Sequence, residues 1–258
     1  MNVRPKRELG QHFLADENIL GVIERLAELD PDDVVLEVGP GLGVLTRYLA
    51  DRVANVHAVE IDTSLADELR SVLGNRANAE LHFGDALQLD LGSLEPPPTK
   101  LVANLPYNIA TPLVVETLDG LPSVQLWCVM VQREVADRFF ATPGTKEYGT
   151  VSVLVQLAAE RIGFHPVSRN VFRPRPNVDS ALVAFRRRRL PPTYARVKQV
   201  AGAAFAHRRK MLPNSIELAG LASRAEAAEA LERTGHSPAT RAEALTPEEF
   251  VALADALP

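Results

Sequence analysis

The residues best suited to chemistry fall in four short stretches, each closing an apolar run. Glu37-Val38-Gly39-Pro40-Gly41-Leu42-Gly43 ends the first run and leads straight into a helical pattern. Glycines at such a turn let the backbone approach a ligand closely, and their Gly-x-Gly-x-Gly spacing departs from the Gly-x-Gly-x-x-Gly of dinucleotide sites. Glu60 ends the second run, 21 residues after Gly39, where a carboxylate can accept both hydroxyls of a ribose. Asp85 follows the third run, in Phe83-Gly84-Asp85-Ala86-Leu87, where an acid can take the exocyclic amine of an adenine. The fourth run ends in Asn104-Leu105-Pro106-Tyr107. There the Asn104 side-chain oxygen and the Leu105 or Pro106 carbonyl offer acceptors to the amino group of an aromatic base. Pro106 fixes the turn, and Tyr107 offers a ring face for stacking.

These stretches need elements that bring them to one edge. Residues 34–38, 56–61, 79–83, 101–104 and 124–131 read as short strands, with amphipathic helices at 45–52, 65–73 and 111–118 between them. Such alternation builds a parallel sheet covered on both faces, with ligands at the carboxyl ends of its strands. Residues 133–141 and 148–161 add two helices, and 161–167 and 180–186 two last strands, expected to pair antiparallel at a sheet edge. Leu190-Pro191-Pro192-Thr193 stops both kinds of element. The expected organisation is a Rossmann-like α/β domain over 1–189 and a small helical domain over 190–258. Trp127, Cys128 and Met130 lie inside an apolar strand and read as core.

The bulk numbers narrow the class. The chain has 258 residues, 46% hydrophobic and 24% charged, and no apolar run near the roughly 18 residues of a membrane span. The basic N-terminus has no apolar stretch behind it, so it does not read as a secretory signal. One cysteine permits neither an internal disulfide nor a cysteine metal site, which points to the cytoplasm. The net charge of −5 hides an uneven distribution. Residues 160–210 carry 13 Lys and Arg against 2 Asp and Glu, while the remainder carries 15 against 31. A basic zone in an acidic protein suits a polyanion. Its members include Arg173 and Arg175, Arg186-Arg187-Arg188-Arg189, and Arg208-Arg209-Lys210, read as lying in a helix; Arg4, Lys6 and Arg7 add charge at the N-terminus. Phe172, in the proline-fixed loop Val171-Phe172-Arg173-Pro174-Arg175-Pro176, is placed to stack on a base. His57, His82, His165 and His236 lack ligand-like spacing, so no catalytic metal is expected.

The glycine turn resembles that of the class I S-adenosylmethionine methyltransferases, whose ligand has no pyrophosphate to cradle. A sulfonium methyl is already activated, so catalysis reduces to positioning and carbonyl electrostatics. An NAD dehydrogenase would leave Asn104–Tyr107 without a task. With Gly10-Gln11-His12-Phe13-Leu14, Asn104-Leu105-Pro106-Tyr107-Asn108-Ile109-Ala110, Tyr148-Gly149-Thr150, the 172–180 loop and Arg208-Arg209-Lys210 added, the chain resembles the KsgA-type small-subunit rRNA adenine N6,N6-dimethyltransferases over nearly its whole length. That resemblance implies S-adenosylmethionine as cofactor and dimethylation of two adjacent adenosines near the 3′ end of 16S rRNA, within an immature small subunit. Nothing in the sequence marks a symmetric interface or a membrane span, so a monomer with no membrane partner is expected. The resemblance also implies cofactor contacts at His12 (where the family often has Asn), Leu14, Gly39, Gly41, Glu60, Asp85 and Asn104. The target adenine would be held by Asn104, Leu105, Pro106, Tyr107 and Phe172, and RNA by Arg173, Arg175, Arg186, Arg187, Arg208, Arg209 and Lys210. The alternatives are a 23S rRNA dimethyltransferase of the macrolide-resistance type and a nonenzymatic ribosome-assembly factor.

Overall fold

The computed structural model describes Lys6 and residues 9–258; Arg4 and Arg7 lie outside them. The chain divides into two compact units: the residues up to Ala136 with Arg161–Arg187, and Asp137–Glu160 with Arg188–Pro258.

The first unit is built on a seven-stranded sheet. Its strands are β2 (Val34–Val38), β3 (Asn55–Glu60), β4 (Ala79–Phe83), β5 (Lys100–Asn104), β6 (Leu126–Gln132), β7 (Ala159–Val167) and β9 (Ser180–Arg187). They lie in the order β4-β3-β2-β5-β6-β9-β7. Pairings within β4 to β6 are parallel, and β9 joins β6 antiparallel. β2 is buried throughout and β6 up to its last residue, as β-branched and apolar runs covered on both faces must be. Between strands run α2 (Val44–Ala50), α3 (Ala66–Leu73) and α4 (Ala110–Gly120), close to where helical spacing places them. Ahead of them, α1 (Asn18–Ala27) buries Ile19, Leu20, Ile23 and Ala27, the stripe a 3.6-residue period gives. That stripe joins Val35, Val102, Cys128, Met130 and Leu182 in one core cluster. Trp127 stacks on Phe185 at 5.4 Å and donates its indole N–H to Thr117 Oγ1. The last two sheet strands are neighbours, as expected, with β7 at the edge.

A second, two-stranded ladder had no signal in the sequence. β1 (Phe13–Leu14) pairs antiparallel with β8 (Phe172–Arg173), in register Phe13 with Arg173 and Leu14 with Phe172. Two runs of two residues are too short to show a period.

After β6 comes α5 (Arg133–Phe139), and the second unit holds α6 (Thr150–Ala158), α7 (Tyr194–Ala206), α8 (Leu212–Leu218), α9 (Arg224–Arg233) and α10 (Pro247–Ala256). A linear reading gives residues 137–160 to the α/β domain; the structure groups them with the tail helices. The Tyr148 hydroxyl donates to the Leu245 carbonyl at 2.8 Å and Tyr194 to the Leu154 carbonyl at 3.2 Å, while Tyr148 and Phe250 each pack on Phe205. A tail too short to bury its own apolar faces takes its core partners from this inserted segment. Ser223–Glu226 and Thr246–Glu249 form reciprocal capping boxes that start α9 and α10.

Candidate nucleoside and amine site

Strand order reverses between β2 and β5, since β3 and β4 extend one way from β2 while β5 and β6 extend the other. Such a reversal opens a crevice beyond the carboxyl ends of the two strands. Gly39 follows β2 and Asn104 ends β5, so both stand at that crevice.

Two glycines are required there. Gly39 has φ 76°, and a Cβ on it would lie 2.9 Å from Cδ and Cγ of Pro106. Gly41 has φ 57°, and its Cβ would lie 2.8 Å from the Phe13 ring. The left-handed backbone and the missing side chains let the Asn104–Tyr107 turn and the N-terminal motif close on the same floor.

One cavity is lined by His12, Leu14, Gly39, Gly41, Glu60, Asn104, Leu105, Pro106 and Tyr107, and by Glu37. A second shares Gly39, Glu60, Ile61 and Pro106 with it and adds Asp85 and Ala86. Sequence reasoning had not singled out Ile61, half exposed and common to both cavities, because an apolar residue after a strand reads as an overrun of that strand.

The polar groups have defined roles. Asn104 Nδ2 donates to the His12 carbonyl at 3.1 Å, which turns Oδ1 the other way as an acceptor. The Pro106 carbonyl already accepts from the Ile109 and Ala110 N–H groups, each at 3.1 Å, as α4 begins. Of the two carbonyls considered, Leu105 is therefore the one left to accept. Tyr107 shares a hydrogen bond of 2.7 Å with Ser180 and lies 5.4 Å from the His12 ring. His12 Nδ1 is 2.7 Å from the Pro174 carbonyl, which only accepts, so that nitrogen carries the proton.

Glu60 is buried and accepts from the N–H groups of Gly41 and Asp62. Burial raises its pKa, and those two backbone bonds oppose the rise. Glu37 is more extreme. Its Oε2 is buried with no hydrogen-bond partner among the described residues, and burial, with the Glu60 charge adding, pushes it up to about 8. Asp62 goes the other way. Burial works against its ionisation, but hydrogen bonds from Lys6, Ser64 and Gln11 outweigh it and hold the carboxyl well below the usual range. Lys6 Nζ is 2.7 Å from Asp62 Oδ1, and Gln11 Nε2 is 3.0 Å from Oδ2. Lys6 and Gln11 are thereby fastened beside the cavity, and Lys6 is engaged here and not free for phosphate.

Several other expectations change. Phe172 has no exposed surface and belongs to the core cluster, so its ring presents no open face to a base. Its β8 position pairs it with buried Leu14, which draws the ring inward. Arg187 donates to the carbonyls of Val124, Leu118 and Leu121 at 2.5 to 2.7 Å, with its guanidinium over the Trp127 ring. Its guanidinium is spent on the carbonyls at and just after the end of α4, and the side chain is only partly exposed. Arg186 pairs with Glu28 at 2.5 Å. Arg173 is exposed and donates to the Asn170 and Phe172 carbonyls. Arg208 lies in the turn after α7, not in a helix, and donates to the Lys146 carbonyl. Arg175, Arg209 and Lys210 are exposed, and their side chains make no ion pair or hydrogen bond among the described residues.

A mostly parallel sheet of this order, with a glycine turn and an acid closing its first two strands, defines the class I methyltransferase fold. Within that class, the chain belongs to the ribosomal RNA adenine dimethylase family, whose model matches residues 2–257. It is 51% identical to a ribosomal RNA small subunit methyltransferase A of Rubrobacter xylanophilus, across 97% of this chain and 94% of that one. It is 47% identical to the protein of the same description in Streptomyces coelicolor, across 99% and 92%. Among solved structures, a dimethyladenosine transferase from Plasmodium falciparum shares the fold at TM-score 0.77 and 24% identity, over 94% of this chain and 96% of that one. The 23S rRNA methyltransferase ErmE aligns at TM-score 0.67 and 31% identity, over 95% and 99%.

Proposed function

We propose that this protein transfers methyl groups from S-adenosylmethionine to the N6 amines of two adjacent adenosines near the 3′ end of 16S rRNA, acting as a monomer on an immature small ribosomal subunit in the cytoplasm. The observation that carries the reading is the contact of Gly39 with Pro106, which sets the nucleoside floor against the amine turn at one strand edge.

The residues present suit the cofactor. Gly39 and Gly41 give a floor without side chains, Glu60 stands where ribose hydroxyls need acceptors, and Asp85 faces the adjoining cavity where an adenine amine would lie. When bound, S-adenosylmethionine supplies a methyl group already activated on a sulfonium, so the reading assigns no metal to the reaction. The chain's own residues handle the amine. Its lone pair is delocalised into the purine ring, which makes it a weak nucleophile. Asn104 Oδ1 and the Leu105 carbonyl accept its two N–H bonds, pull the nitrogen toward tetrahedral geometry and hold it in line with the methyl donor. Tyr107, steadied by Ser180, gives the purine a face. A target adenosine must leave its stack to enter the turn. The small-subunit substrate is favoured over 23S rRNA because relatives at 51% and 47% identity carry the small-subunit description, against 31% for the 23S enzyme.

The test is transfer of labelled methyl groups to immature small subunits and, separately, to protein-free 23S rRNA, with modified adenosines mapped. The reading requires two neighbouring dimethylated adenosines near the 3′ end of 16S rRNA and none in 23S rRNA. Modification of 23S rRNA alone would transfer the assignment to the other branch.

A further inference from the structure

On the same sheet, away from the amine turn, β3 and β4 bring together three side chains that the reaction does not use. His57 lies opposite Glu80, and His82 opposite Val59, in the parallel ladder. Side chains two apart share a face, so His57, Glu80 and His82 project together. One nitrogen from each histidine and one Glu80 oxygen all lie within 4.8 Å of one another.

The hydrogen bonds around them fix which atoms are available. His57 is fully buried, and its Nε2 is 2.9 Å from the Pro96 carbonyl, which only accepts. That nitrogen therefore carries the ring proton, and Nδ1 keeps its lone pair. Outer-shell carbonyls select and orient metal-binding histidines in this way. Facing that lone pair, His82 Nε2 stands 3.2 Å away. Glu80 Oε1 accepts from Asn55 at 3.1 Å, and Oε2 lies 3.8 Å from His57 Nδ1. Tetrahedral zinc with ligands at about 2.0–2.1 Å sets neighbouring donors roughly 3.3–3.4 Å apart, so the imidazole nitrogens already stand near that separation; a metal would displace the proton that His82 Nε2 shares with His57 Nδ1, the rings would turn their lone pairs onto it, and Glu80 Oε2 would close in from 3.8 Å. His82 and Glu80 are partly exposed, which leaves an entry path and room for water as a fourth ligand.

From this geometry we infer that His57, Glu80 and His82 form a structural binding site for a divalent transition-metal ion of the zinc type. Two nitrogens and one oxygen suit zinc and its first-row neighbours, not the all-oxygen shells of calcium or magnesium. Bound there, the ion clamps β3 to β4 upstream of Glu60 and Asp85. This site does not depend on the methyl-transfer reading.

The test uses untagged, full-length protein stripped with chelator and titrated with Zn2+ by calorimetry, with thermal unfolding and the visible spectrum of the Co2+ form in parallel. Expected are one equivalent bound, a higher Tm than in chelator, and the strong d–d bands of a tetrahedral site. His82→Asn and Glu80→Gln should each weaken binding at least ~10-fold while unfolding at the wild-type temperature in chelator. Absence of stoichiometric uptake, or undiminished uptake by His82→Asn, would overturn the assignment.

Discussion

Asn104 has two jobs in one side chain under the proposed reaction: its amide nitrogen is tied to the His12 carbonyl, and its oxygen is the proposed acceptor for the amine. Asn104→Ala removes both. Single-turnover methyl transfer should fall by roughly 10²–10³, the loss usual for one pre-set polar group at a reacting centre, with a melting temperature close to wild type. Glu60→Ala removes the proposed ribose acceptor and should abolish methylation, with calorimetry showing that binding of S-adenosylmethionine is lost. Glu37 gives a pH signature. Its raised pKa means the folded protein holds a proton that the unfolded chain has released, so its contribution to stability is full below about pH 4.5 and is lost as pH rises toward about 8. Glu37→Gln should flatten the fall in Tm between pH 5 and 8 and leave the pH 5 value nearly unchanged.

Among the elements, the strands and helices of the sheet were legible because pattern and length agree there: Val34–Val38 falls where a short β-branched run meets turn residues, and Ala79–Phe83 where alternation does. The glycine turn, Glu60, Asp85 and Asn104–Tyr107 were legible as neighbours, lining two adjoining cavities, because each stands at or just past the end of a strand. The β1–β8 ladder was not, and its consequence was the misreading of Phe172: an aromatic in an arginine-rich, proline-rich loop looks exposed unless the strand pairing that buries it is known. The arginine run misled in a related way, since the carbonyls that absorb Arg187 come from the end of α4, over 60 residues away in sequence. The fastening of Lys6 and Gln11 to Asp62 is likewise a tertiary fact. Asp62→Ala should release both, raise the dissociation constant for S-adenosylmethionine several-fold and increase amide exchange over residues 9–14. At the strand core, burial pushes the Cys128 thiol up to about 12. It should resist thiol reagents in the native protein and react once denaturant is added.

For the molecule as a whole, opposite charge is separated along the chain, and the structure sorts the basic residues further into those consumed by folding and those left for a partner. Replacing Arg175, Arg209 and Lys210 together by Ala should weaken RNA binding and reduce the slope of log K against log salt by about 2 to 3, near 0.7–0.9 for each phosphate no longer neutralised. Arg187→Ala should lower the melting temperature with the slope unchanged. The short ladder between Phe13–Leu14 and Phe172–Arg173 joins positions some 160 residues apart. Such a closure comes late in folding, because the intervening chain must be ordered before so distant a pairing is favourable. During translation the Phe13–Leu14 part of the cavity wall thus lacks its partner strand until most of the polypeptide has left the exit tunnel, and a partly made copy has no finished pocket with which to hold a nucleoside.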